Sequence, residues 1–129
     1  MIDDNQRDLL IQYRISQAKE IVEDAKLLLE NQRLVSASNR IYYSMFNMLL
    51  ALGLKYKFET SKHLQLIGWF NKNIIKEKIL DAKYSRMLKK AYEYRTMADY
   101  NDFIDLKFED ISLMYDDMLK FITAIEEII

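Results

Sequence analysis

The chain has 129 residues, a formal net charge of -1 with its one histidine neutral, no cysteine, no proline and two glycines, Gly53 and Gly68. Disulfides, thiolate metal sites and cysteine nucleophiles are excluded by count, and folds that need glycine or proline at tight turns, phosphate-cradling loops among them, are disfavoured. Half of the residues are hydrophobic, enough to bury one substantial core, so we expect a single domain over residues 1–129.

From Leu10 to Leu29 the apolar positions Leu10, Ile11, Ala18, Ile21, Val22, Ala25, Leu28 and Leu29 recur three or four apart, the spacing of one helical face. Asn31 to Arg33 interrupts it. Ser36 or Ser38 is placed to cap a second helix that runs to Leu52, with Gly53 ending it in a left-handed conformation. That helix is apolar on nearly every side, from Ile41 through Leu52, and such a helix has to be covered all round. Three neighbours in so short a chain leave cover to be found, which points to a homodimer. Arg40, Ser44 and Asn47 draw a narrow polar line along it at i, i+4 and i+7. The line suits interhelical hydrogen bonds or a functional role.

Lys55 to Glu59 reads as a connection, after which Thr60 or Ser61 can cap a short helix carrying Leu64, Ile67, Trp69 and Phe70. Asn71 to Lys78 is expected to break it. A fourth helix follows through Tyr84, Met87, Leu88, Ala91, Tyr94, Arg95 and Ala98, and a loop from Asn101 to Asp105 leads to the last, with Asp105 as its cap. The final helix places Ile111, Met114, Tyr115, Met118, Phe121, Ile122, Ile125 and Ile129 on one face. Four long helices and a short one make an all-α, antiparallel four-to-five-helix bundle the simplest fold.

Charge is uneven along the chain: residues 1–54 carry six Lys/Arg against seven Asp/Glu, residues 55–95 eleven against four, and residues 96–129 two against nine. Antiparallel neighbours can cancel these charges, or the basic middle can form an anion-binding patch. The opening residues Asp3, Asp4 and Arg7 do not resemble a signal peptide and no apolar run approaches the roughly 20 residues of a bilayer span. A cytoplasmic protein with no membrane association is expected.

One histidine and no cysteine leave no ordinary zinc site, and the Glu-x-x-His spacing of diiron bundles is absent. No metal and no cofactor are expected. His63, near a helix start, suits a capping or partly exposed role as well as proton transfer. Tyr92, Arg95 and Asp99 share one helix face with Tyr100 at its end. A planar guanidinium beside phenols fits a phosphate and a base, and an Arg95–Asp99 ion pair one turn apart is the structural alternative.

Asn39-Arg40-Ile41-Tyr42-Tyr43-Ser44-Met45-Phe46, then Lys62-His63 followed by Leu66 to Phe70, then Arg95-x-x-Ala98-Asp99-Tyr100, resemble in order three conserved blocks of the small stand-alone HEPN proteins of the UPF0332 type. The resemblance covers about Ala18 to Tyr100. It implies a helical bundle, usually a homodimer, often encoded beside a minimal nucleotidyltransferase that serves as its antitoxin. It also implies a metal-independent ribonuclease in which an arginine stabilises charge at the dimer cleft and a histidine four to six residues later moves a proton. Arg95 matches that arginine, whereas position 100 is tyrosine and Asn101 and Asp102 follow. An unperturbed tyrosine, with a pKa near ~10, is a poor base at neutral pH. Tyrosines near this motif can also be targets of nucleotide transfer by the partner enzyme.

Two functions follow. One is a toxin-like protein acting on RNA, with Arg95, Asp99 and Tyr100 as catalytic candidates and Asn39, Arg40 and His63 as RNA- or nucleotide-binding candidates. The other is a non-catalytic helical module that binds a nucleotide or a partner protein.

Overall fold

In the computed structural model, which describes residues 2–101 and 104–129, the chain forms five α-helices. They are α1 (Asp4–Glu30), α2 (Leu34–Lys55), α3 (His63–Phe70), α4 (Ala82–Tyr100) and α5 (Phe108–Glu127), with no strand among the described residues.

α1 begins six residues before the expected Leu10 because Asp3 and Gln6 form a reciprocal capping box: Gln6 N–H donates to Asp3 Oδ1 at 2.8 Å and Asp3 N–H to Gln6 Oε1 at 2.9 Å. Its buried residues, Ile11, Ile15, Ala18, Val22, Ala25 and Leu29, form one stripe against α2. The turn to α2 is tight, with Gln32 in a left-handed conformation at φ 59°, so α2 starts at Leu34 with Arg33 at its N-cap and no side-chain cap. Ser36 and Ser38 are not caps. Both lie inside the helix, and Ser38 is fully buried with its hydroxyl donating to Val35 O at 2.8 Å.

Gly53 does not end α2 either. The helix continues to Lys55, and the left-handed residue is Lys57, at φ 61°. What glycine permits is close approach: Phe58 N–H donates to Gly53 O at 2.8 Å, and a Cβ on Gly53 would lie 2.8 Å from Phe58 O. The chain therefore folds straight back over the helix end and delivers α3 to its flank. Lys62, not Thr60 or Ser61, is the N-cap of α3, while the Thr60 hydroxyl accepts from Lys62 N–H in the loop.

The expected break after Phe70 is instead a π-helical turn over Asn71–Ile75 that buries Ile74. Lys78, at φ 60°, then turns the chain, and Asp81 caps α4 by accepting from Lys83 N–H at 2.8 Å. Asp105 does not cap α5: its N-cap is Lys107, without a side-chain bond. The expected loop from Asn101 to Asp105 includes residues 102 and 103, Asp102 among them, which lie outside the described residues.

The core is one cluster contributed by every helix, with α2 at its centre, touching α1, α3, α4 and α5. Thirteen of the 22 residues of α2 are buried, so four neighbours within the chain supply most of the cover that three were expected to leave wanting. What stays half-covered is a stripe at helical spacing: Asn39, Arg40, Tyr43, Asn47 and Leu50. The case for a second subunit from the greasiness of α2 reduces to this stripe.

Candidate functional site

The half-covered stripe of α2 is where the chemistry-bearing side chains meet. α4 crosses it carrying Arg95, and the fold over Gly53 brings His63, the first residue of α3, to the same place. At the centre stand Tyr42 and Tyr43, whose rings meet edge-on at 5.3 Å. Tyr42 is fully buried and Tyr43 partly exposed.

Arg95 Nη2 donates to the Tyr43 hydroxyl at 2.9 Å, and its guanidinium carbon lies 5.6 Å from the Tyr42 ring centre and 5.4 Å from that of Tyr43. Its Nε sits 3.0 Å from Asp99 Oδ2, off the line of a hydrogen bond, so the contact is one of charge. Arg40 approaches the same Tyr43 ring at 5.4 Å, held by Asn39, whose side-chain oxygen accepts from Arg40 Nε at 3.0 Å and Nη2 at 2.6 Å. Two guanidinium groups thus share one tyrosine.

His63 stacks on Phe46 at 4.1 Å with the planes 10° apart, and its Nδ1 is 2.7 Å from the Tyr42 hydroxyl. Burial pushes the Tyr42 hydroxyl well above the usual phenol range, so it stays protonated. Because His63 is the hydrogen-bond partner that hydroxyl has among the described residues, Tyr42 donates to Nδ1 and the ring rests as the Nε2–H tautomer. Burial first and the Arg95 charge second hold the His63 pKa below its ordinary 6.5, leaving the ring neutral at pH 7.

The six candidates therefore divide. Asn39, Arg40, His63, Arg95 and Asp99 gather around Tyr42 and Tyr43. Tyr100, at the end of α4, is 81 % exposed and no hydrogen bond or ring contact joins it to them among the described residues. The Arg95–Asp99 ion pair is present, yet the Arg95 side chain keeps 19 % of its surface exposed and Asp99 34 %. His63 is partly exposed, one of its expected alternatives, and is not the cap of α3, which is Lys62. Ser44 and Asn47 bond their own helix, to Ile41 O and Tyr43 O at 2.8 Å each, rather than a neighbour.

The residues that sequence reasoning passed over are the organisers Tyr42, Tyr43 and Phe46, and the signal was available: Asn39 and Tyr43 fall on one face of the helix that carries the first motif block. Tyr92, expected on the Arg95 face, packs edge-on to Tyr42 at 5.6 Å. Charge cancellation between the basic middle and the acidic tail occurs at contact distance once among the described residues, within α4 rather than between antiparallel helices. Among the described residues Arg95–Asp99 is the one salt bridge between those segments, and the pair joining two different helices is Lys19–Glu126. No group of three potential metal ligands occurs among the described residues, and no helix there is long and apolar enough to cross a membrane.

Comparison with known proteins finds relatives along most of the chain. The chain is 33% identical over 125 residues to a UPF0332 protein of Thermotoga maritima, an alignment covering 97% of this chain and 95% of that protein. Two Methanocaldococcus jannaschii proteins, both named putative toxins, are also similar. One is 32% identical over 106 residues, covering 82% of this chain and 79% of the relative. The other is 34% identical over 96 residues, covering 74% and 65%. The HEPN domain family matches residues 11–128, nearly the whole helical bundle, and the chain belongs to the HEPN family.

Proposed function

We propose that this protein is the toxin-like member of a HEPN toxin–antitoxin pair, that it acts on RNA as a homodimer, and that a minimal nucleotidyltransferase is its partner. The observation that carries the reading is the pair of guanidinium groups on Tyr43, one opposed by a single carboxylate and one by a neutral amide. Such a cluster is short of negative charge and still open to solvent. A phosphodiester supplies what is missing, in the bidentate geometry that arginine favours. The toxin names of two relatives support the same direction.

The reaction this site suits is attack of a ribose 2′-hydroxyl on the neighbouring phosphate, with Arg95 stabilising charge as it develops on the phosphoryl oxygens. Proton transfer is the demanding part. His63 stands in the cluster, but Tyr42 occupies its Nδ1 and its Nε2 already carries a hydrogen, so abstraction by His63 needs the Tyr42 hydroxyl to let go. The resting geometry favours holding a phosphate over removing a proton. This supports a second reading, an RNA- or nucleotide-binding module without cleavage.

Purified protein incubated with total RNA in chelator separates the two. Fragments that Arg95→Ala abolishes establish the nuclease. Intact RNA at high protein, with filter binding lost in Arg95→Ala, establishes the binding module, and no binding removes both.

A further inference from the structure

The half-covered stripe of α2 continues past Tyr43 to Leu50, and there, beside the buried Phe46 and Leu54, it opens into a cleft of about 480 Å³ between α1, α2 and the segment leading into α3. The volume is in the roughly 300–1,000 Å³ range of small-molecule sites. Leu10, Phe46, Leu50, Leu54 and Phe58 make its walls. Arg14, Glu59, Thr60 and Ser61 stand among the lining residues as well. Arg14 and Glu59 are in no salt bridge among the described residues, so their charges remain available to a ligand.

Two features decide what the cleft takes. Its lining combines apolar and aromatic side chains with donors and acceptors of both charges, which matches a planar heterocycle with apolar faces and a polar edge better than an aliphatic chain. Phe46 is also shared: it lines the cleft and stacks on His63, whose partner Tyr42 lies under Arg95. The cleft and the guanidinium pair are thus neighbouring stations on one helix. At 1.5 Å rise per residue, Arg40 to Leu54 spans about 20 Å, a few nucleotides of extended strand.

We infer that this cleft is a nucleobase subsite, holding a base of a single-stranded RNA whose phosphate rests on Arg40 and Arg95. The inference rests on the RNA-directed reading above and goes further by locating the base. It is independent of cleavage, because stacking and edge contacts need no proton transfer.

The probe is a short single-stranded RNA methylated at every 2′-oxygen, which cannot be cut through that group, followed by fluorescence anisotropy. Inorganic pyrophosphate, measured by calorimetry, reports on the guanidinium pair alone. Leu50→Trp fills the cleft, and Ser61→Trp blocks it from an exposed position that carries the test if Leu50→Trp does not fold. We expect the dissociation constant of the RNA to rise at least tenfold in either folded variant while pyrophosphate binding holds. Equal RNA affinity in wild type and both variants overturns the inference, as does a wild type that binds pyrophosphate and no RNA. A wild-type dimer that Ser61→Trp splits, with RNA affinity unchanged, assigns the cleft to a second copy of the chain and also overturns it. Cleft-dependent binding combined with uncut natural RNA sustains the subsite and removes the nuclease, and cleavage insensitive to both variants does the reverse.

Discussion

Replacing Tyr42 by Phe deletes one oxygen from the middle of the cluster and leaves the ring packing in place, since Tyr42 is fully buried against Tyr43, Tyr92, Phe46 and His63. The lost bond is the 2.7 Å contact to His63 Nδ1, neutral on both sides and worth about 0.5–1.5 kcal/mol, with Nδ1 left half-buried and unpaired. The expected cost is about 1–2 kcal/mol in urea unfolding, a fall in midpoint temperature of roughly 3–8 °C for a chain of this size. The more specific readout is the pKa of His63, which as the only histidine gives a single resonance to follow. Donation from Tyr42 favours the neutral ring, so removing it makes protonation easier and the pKa rises towards the ordinary 6.5. A pKa that falls, or that stays put with stability unchanged, would show that Tyr42 does not donate to Nδ1, and the assignment of the Nε2–H tautomer would fail.

Asp99→Asn removes the carboxylate that opposes Arg95 at 3.0 Å. As a partly exposed pair it costs no more than about 1 kcal/mol of stability, while affinity for RNA or pyrophosphate rises several-fold in calorimetry at low salt. Because the folded pKa of His63 is depressed, the unfolded chain binds the extra proton first as pH falls through about 6.5. Its contribution is therefore complete above that pH and is lost below it, so the difference in unfolding free energy between pH 7.5 and 5.5 shrinks in His63→Gln relative to wild type. Gly53→Ala drives a Cβ to 2.8 Å from the Phe58 carbonyl oxygen, and because both partners are backbone the strain costs about 1–3 kcal/mol, read as a lowered urea midpoint at unchanged slope.

The bundle was legible because period and length agree: the stripe from Ile11 to Leu29 and the face from Ile111 to Ile125 are the buried faces of α1 and α5. Helix ends were less legible, since tertiary contacts override local caps. Ser38 looks like a cap and is buried inside α2, and Gly53 looks like a terminator and is instead a place where backbone passes close by. Along the helices, spacing placed Arg95 and Asp99 together because they are one turn apart. No local pattern could bring His63 and Arg40 to them, because those contacts depend on how the chain turns back after α2. Tyr100 shows the converse: adjacency to Arg95 in the motif does not carry a side chain at the helix end into the cluster.

The charge balance of the cluster explains why the Arg95–Asp99 pair and an anion site are compatible. Arg40 is satisfied by Asn39 in hydrogen bonds but not in charge, and Arg95 is opposed in charge by Asp99 without an aligned hydrogen bond. Both guanidinium groups lie 5.4 Å from the same ring centre. The Tyr43 ring offers each a weak attraction and its hydroxyl accepts a bond from Arg95, which neutralises neither charge. Two positive charges against one negative charge leave the cluster one anion short, the balance that the proposed phosphodiester would complete. A structural ion pair alone would not call for the second guanidinium on Tyr43.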